Sequence, residues 1–139
     1  MPGTVSTAKN KREAIASSAF SSFSTNDAKA ALDFYQNILG LTVSETKEGL
    51  QISFGSGSDV FIYVKEDHEP ATFTVLNFPV SDIDAAVDEL SDRGVIFEDF
   101  DGNIKTDDKH IFRGARSDDG PNIAWFRDPA GNFLSLIED

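Results

Sequence analysis

The sequence contains no cysteine. That absence excludes disulfide bonds, thiolate metal centres and cysteine nucleophiles, and it accords with a cytoplasmic protein. Basic residues are also scarce. Twelve Lys and Arg stand against 24 Asp and Glu, which leaves a net charge of −12. Such a body repels duplex nucleic acid and anionic membranes, so neither is expected as a partner. The same charge either draws a cationic small molecule into an acidic pocket or serves solubility alone. No apolar run approaches the ~20 residues needed to cross a membrane, and the first residues lack the apolar centre of a signal peptide.

What is present is a globular composition. The chain has 139 residues, 40% of them hydrophobic and 12 of them Phe, enough for one domain with a real core. Residues 1–15 are small and polar, with Lys9, Lys11 and Arg12, and read as a flexible tail. The body, 16–139, divides into a first module over 16–67 and a second over 72–139, separated by the breaker His68-Glu69-Pro70-Ala71. In the first, a strand around Phe20 and Phe23 stops at Asn26-Asp27. A helix follows, with Ala28, Ala31, Leu32, Tyr35, Ile38 and Leu39 at helical spacing and Gly40 at its end. The runs LTVSETK, GLQISFGS and DVFIYVKE then read as three strands. In the second, TFTVLNFPV is a strand, DIDAAVDELSDRG a helix, and VIFEDF, NIAWFRD and NFLSLIE three more strands.

The two halves form an internal repeat. At an offset of 55 residues, Phe23 meets Phe78, Asp27 meets Asp82, Ala30 and Ala31 meet Ala85 and Ala86, and Asp33 meets Asp88. Each half is β-α-β-β-β, so the fold class is α+β. A sheet with one helix is covered on one face only. Strand alternation puts Phe23 and Phe78 under the helices. It leaves Phe20, Ser22 and Ser24, and Val75, Asn77 and Pro79, on the opposite faces, towards a cavity between the sheets.

Several polar stretches have plain structural readings beside chemical ones. His68 lies in a charged breaker. His110 follows Asp107 and Asp108, where a proton-transfer role is open to it. The segment 99–110 carries Asp99, Asp101 and Asn103 at the first ligand positions of a calcium loop, but it has Ile104 where Gly is required and His110 where Glu is required, so a turn at 101–103 explains it better. FGSGSD joins two strands and opens no helix, so it is a turn and not a phosphate loop. Asp82, Asp84, Asp88 and Glu89 form a solvated helix face. Arg113 is the best candidate for gripping an anionic group, or else a salt-bridge partner.

The segments ALDFYQNILGLTVSE (31–45), FTVLNFPVSDIDAAVDEL (73–90) and WFRDPAGNFLSL (125–136), taken in order within the duplication, resemble the vicinal oxygen chelate superfamily of glyoxalases, bleomycin-resistance proteins and extradiol dioxygenases. The resemblance implies two βαβββ modules forming an eight-stranded cup with helices outside, and a homodimer, as many members are. Metal-using members place a His seven residues before each helix-opening Asp and a Glu in the last strand of each module. Those positions map onto Phe20, Val75, Ile62 and Ser135. None offers imidazole or carboxylate, so neither metal nor cofactor is expected. The resemblance also turns Trp125 towards the cup, where it would stack on a planar or cationic ligand. The expected ligand-binding set is Phe20, Ser22, Ile62, Val75, Asn77, Arg113, Trp125 and Ser135, an apolar floor with hydrogen-bonding points. The favoured reading is a metal-independent protein that binds a small aromatic or cationic molecule. A lyase, isomerase or dioxygenase of the same superfamily is the second reading, and a structural or regulatory dimer with a filled cup is the third.

Overall fold

The computed structural model describes residues 14, 15, 18–55 and 57–138, so the expected tail lies outside the described residues except for Ala14 and Ile15. The first module runs β1 (Ser21–Thr25), α1 (Ala28–Leu32) with a π-helical continuation (Asp33–Ile38), β2 (Thr42–Glu45), β3 (Gly49–Ser53) and β4 (Asp59–Val64). The second runs β5 (Thr74–Pro79), α2 (Ile83–Asp92), β6 (Phe112–Arg113), the short α3 (Gly114–Ser117), β7 (Asn122–Arg127) and β8 (Phe133–Glu138). The sheets have orders β1-β4-β3-β2 and β5-β8-β7-β6. In each, the first strand of the module lies parallel to the last. This is the α+β, two-module βαβββ cup, with no closed barrel among the described residues.

The duplication extends to single atoms. Asp27 and Asp82 both sit in extended backbone before a helix, and each accepts from the amide three residues on, Ala30 and Ala85, at 3.1 Å. An Asp side chain at this point satisfies a helical N–H that has no partner inside the helix. Gly40 and Gly94 follow the two helices with φ of 78° and 97°, the left-handed region that glycine enters at low cost. Ile83, Val87 and Leu90 form the buried stripe of α2.

One element departs from the sequence reading. VIFEDF is not a strand; it makes a single bridge, Phe97 to Phe126, and the place of a strand beside β7 is taken by Phe112–Arg113. The segment anchors Phe97 in the core, then turns away so that Phe100 lies edge-on against Trp125, with ring centres 5.4 Å apart. Thr106 holds the turn by accepting from the Phe100 amide at 2.9 Å. The apolar alternation of this segment therefore serves two separate contacts and not one sheet.

The modules are joined through the turn Asp128-Pro129-Ala130-Gly131-Asn132. Asp128 is buried, and both oxygens of its carboxylate are filled by donors. The amides of Ala130 and Asn132 donate to Oδ1, both at 2.9 Å, while Tyr35 Oη at 2.7 Å and Asn132 Nδ2 at 3.0 Å donate to Oδ2. Asn132 Nδ2 also reaches the Ser24 carbonyl at 2.9 Å. Tyr35 is fully buried; burial first, and the Asp128 charge second, raise its pKa far above the ordinary phenol value, so it remains a donor. Around this lock, Phe34 packs on Tyr35 and on Phe126. His68 adds a clamp: its Nε2 donates to the Ala130 carbonyl at 2.9 Å, and its Nδ1 lies 2.6 Å from Ser24 Oγ. The breaker histidine is thus half-buried and ties the linker to both modules.

A second network fixes the 99–111 segment to α2. Arg113 binds Asp84 with two nitrogens, at 2.7 and 3.0 Å, and Asp107 through Nε at 2.8 Å. Asp107 also accepts from the amides of Lys109 and Ile111. The Arg113 hydrogen bonds hold the Asp84 carboxyl down to about 2. Burial pushes Asp107 up, but Arg113 and the two amides together outweigh it, so its pKa is also lowered.

These contacts have measurable consequences. Tyr35→Phe removes one charge-assisted bond and should cost about 1.5–3 kcal/mol in urea unfolding, whereas Asp128→Ala strips acceptors from several buried donors and should cost more than about 3 kcal/mol. Arg113→Met should destabilise the protein at neutral pH. Because the folded pKa of Asp84 is depressed, its contribution is fully present above the ordinary Asp value of about 4 and is lost as pH falls towards 2. The stability gap between wild type and variant should therefore shrink over that window in acid-dependent unfolding curves.

Candidate functional site

Strand register decides which side chains can meet. Residues directly opposite one another in a sheet point to the same face. In the second sheet Asn77 lies opposite Ser135, and Ser135 opposite Trp125. These three predicted residues therefore share the face turned away from α2, and the Ser135 hydroxyl donates to Asn77 Oδ1 at 2.6 Å. Trp125 Nε1 donates to Thr74 Oγ1 at 3.2 Å, and Phe100 and Phe112 lie against the indole. The result is an aromatic wall with a hydroxyl–amide pair beside it, in which Ser135 is buried and Asn77 exposed.

In the first sheet Ser22 lies opposite Phe61, and Phe61 opposite Gln51. Phe20, two residues before Ser22, lies on the same side and is 69% exposed. Phe20, Gln51, Asp59 and Phe61 line a cleft of about 770 Å³. The Asp59 carboxylate accepts from Gln51 Nε2 at 2.7 Å.

Three of the predicted residues stand elsewhere. Ile62 is opposite Phe23 and fully buried in the core, on the helix side of the sheet. The reason is a one-residue offset: β4 and β8 each have six residues, and aligning them end to end places Phe61, not Ile62, against Ser135. Val75 falls where the register of β5 shifts against β8, and it packs partly against the core. Arg113 lies opposite Asn122, on the face away from Trp125, and both its edges are taken by Asp84 and Asp107. Gln51, Asp59, Phe61, Thr74, Phe100 and Phe112 are not singled out by the sequence. The alternation Asp59-Val60-Phe61-Ile62-Tyr63 holds the signal for two of them, since the acid and the two aromatics share one parity.

The side chains at the positions expected to hold a metal do not fit a divalent ion. Phe20 and Val75 have no donor atom, Ser135 is a neutral hydroxyl bound to Asn77, and neither Ile62 nor Phe61 supplies a ligand. Among the described residues, no three of His, Asp and Glu converge in a metal-holding arrangement. One imidazole is oriented by a carboxylate: His110 Nδ1 lies 2.7 Å from Asp99 Oδ1. The backbone φ of His110, 69°, is unusual for a residue other than glycine.

The hydrogen bonds and aromatic contacts that join the two modules involve Tyr35, Phe34, Phe54, His68, Arg93 and their partners. Among the described residues, none of these bridging contacts involves Phe61, Gln51, Trp125 or Ser135. The lining of the large cleft comes from the first module alone. A smaller crevice of about 210 Å³ lies on the helix side, among Leu39, Leu41, Phe78 and Leu90.

The solved structures that resemble this chain share its fold. The glyoxalase family protein from Enterococcus faecalis is 21% identical, with a TM-score of 0.61, over 86% of this chain and 94% of that one. The genomically encoded fosfomycin resistance protein FosX from Listeria monocytogenes is 15% identical, with a TM-score of 0.61, over 90% and 94%. TnmS3, an antibiotic binding protein from Streptomyces sp. CB03234, is 25% identical, with a TM-score of 0.58, over 90% and 97%. No curated protein matches the sequence. Residues 19–136 match the family described as Glyoxalase/Bleomycin resistance protein/Dioxygenase superfamily. With the repeated βαβββ module in place and nearly the whole body of the chain matched, the protein belongs to the Glyoxalase/Bleomycin resistance protein/Dioxygenase superfamily.

Proposed function

We propose that this protein binds a small aromatic molecule without altering it and without a metal ion. The observation that carries this reading is the pairing of Trp125 with the Ser135–Asn77 hydrogen bond on the sheet face turned away from α2. A flat indole offers stacking area, and a fixed hydroxyl–amide pair offers orientation; ligand sites combine those features. The likeness to an antibiotic binding protein supports it. Phe20 and Phe61, with the Ser22 hydroxyl on the same face, form a second wall on the first module.

We further propose that the wall and the Trp125 face meet between two copies of the chain. Within one chain the cleft draws its lining, among the described residues, from the first module only. A homodimer in which the first module of one copy faces the second module of its partner closes the cup on both sides.

A second reading is favoured by one pair. His110, oriented by Asp99, has the geometry of a general base, and the next residue after Asp99 touches Trp125. In that case the protein is a metal-independent lyase or isomerase. A His110→Gln variant separates the two, because it should leave ligand affinity unchanged under the binding reading and abolish turnover under the enzymatic one.

A thermal-shift screen of planar aromatic compounds should yield ligands that raise the melting temperature, as binding to the folded state requires. Those ligands should quench the fluorescence of Trp125, the only tryptophan. Trp125→Ala should weaken them about two- to tenfold by titration calorimetry. Neither EDTA nor added Zn²⁺, Ni²⁺ or Mn²⁺ should change their affinity. A blank screen would favour a filled cup, and a metal requirement would overturn the proposal. Sedimentation velocity should show a dimer.

A further inference from the structure

The cleft on the first module has a chemical bias of its own. Among the described residues its lining contains one carboxylate, Asp59, and no Lys, Arg or His. Among the described residues Asp59 takes part in no salt bridge. Its one side-chain partner there is the neutral amide of Gln51, 2.7 Å away, which fixes the carboxylate without cancelling its charge. Register sets Asp59 on the same face as Phe61 and Gln51, with Phe20 on the adjoining edge of the cleft. A half-buried carboxylate with no compensating charge among the described residues, bordered by two aromatic rings, is complementary to a positive charge carried on a flat apolar group. The carboxylate supplies the Coulomb attraction, and the ring faces add the cation–π contribution.

We propose that this cleft is a binding site for an aromatic organic cation, with Asp59 recognising its charge and Phe20 and Phe61 its flat body. The inference rests on the small-molecule reading above and narrows its ligand to one chemical class. The net charge of −12 acts in the same direction at longer range, by raising the local concentration of cations at the surface. That general field does not select a residue; the placement of Asp59 does. Neutral and anionic aromatics gain the ring contacts only, and an anion meets repulsion.

The test uses two probes of nearly the same shape, the cation N-methylquinolinium and neutral quinoline, titrated calorimetrically into the full-length protein at mildly alkaline pH. Wild type should bind the cation about tenfold more tightly than the neutral probe, and rising salt should reduce that preference. Asp59→Asn should abolish the preference and leave quinoline affinity unchanged. The carboxamide oxygen it introduces still accepts from Gln51, so the sheet should be undisturbed. Asp101→Asn, which removes one charge from the 99–110 segment of the other module, should keep the preference intact. Equal binding of the two probes by wild type, or a preference that survives Asp59→Asn, would overturn the inference and leave the small-molecule reading standing. Failure of both probes to bind would also overturn it, and the broader reading would then fall only if the thermal-shift screen were blank as well.

Discussion

The Asp128 carboxylate is the contact on which the arrangement of the two modules depends. A buried charge is tolerated only when enough donors surround it. Here two backbone amides, the Asn132 side chain and the Tyr35 phenol fill both oxygens. The amides and the Asn132 side chain belong to the turn itself, so they would be present in an isolated hairpin. The Tyr35 bond does not belong to it. It spans 93 residues and connects the last hairpin to the helix of the first module. Through that bond the position of β8, and with it Ser135, is referred to the first sheet. Phe34, packed on both Tyr35 and Phe126, carries the same registration through the apolar core.

Much of the fold can be read from the sequence because its strongest signals are local. The helix-opening Asp27 and Asp82, the closing Gly40 and Gly94, and the Asp128–Asn132 turn act through atoms within a few residues of themselves. The duplication then repeats the pattern, which turns weak local evidence into an architecture. Contacts between distant residues leave no such trace. Nothing near His68 in the chain announces that its imidazole reaches Ser24 and Ala130. VIFEDF has the alternation of a strand, yet its Phe100 is drawn to the distant Trp125, and the ladder is lost.

The site is legible to the same extent. Asn77 follows from parity along its strand, and Trp125 and Ser135 from positions that the family resemblance implies; the register sets the three on one face. Sequence misplaces Ile62 because matching DVFIYV to NFLSLI sets β4 one residue out of phase with β8, although the shared parity of Asp59, Phe61 and Tyr63 marks the other face. One residue of slip in a strand exchanges its faces. Arg113 is ambiguous for another reason. An arginine binds a ligand anion and a carboxylate of its own protein by the same fork of donors. Only the placement of Asp84 and Asp107 shows which it has done.

The two faces of each sheet obey different constraints, and this explains how one architecture serves different chemistry. On the helix side, Phe23, Ile62, Ala124, Phe126, Leu134 and Leu136 interlock, and a change in any of them opens a cavity or forces a clash. On the open side the strand backbone is satisfied within the sheet whatever side chain it carries. Phe61 and Asn77 could therefore be exchanged for charged or imidazole groups with little effect on the core, whereas a charge at the fully buried Ser135 would need a partner of its own. In this chain those positions present an aromatic ring, a hydroxyl and an amide, with Asp59 as the one acid lining the cleft. Affinity on such a surface would come from shape, stacking and one directed charge, and among the described residues no three of His, Asp and Glu converge to hold an ion. The scaffold fixes where the open face lies, and the few residues of alternate parity decide what it recognises.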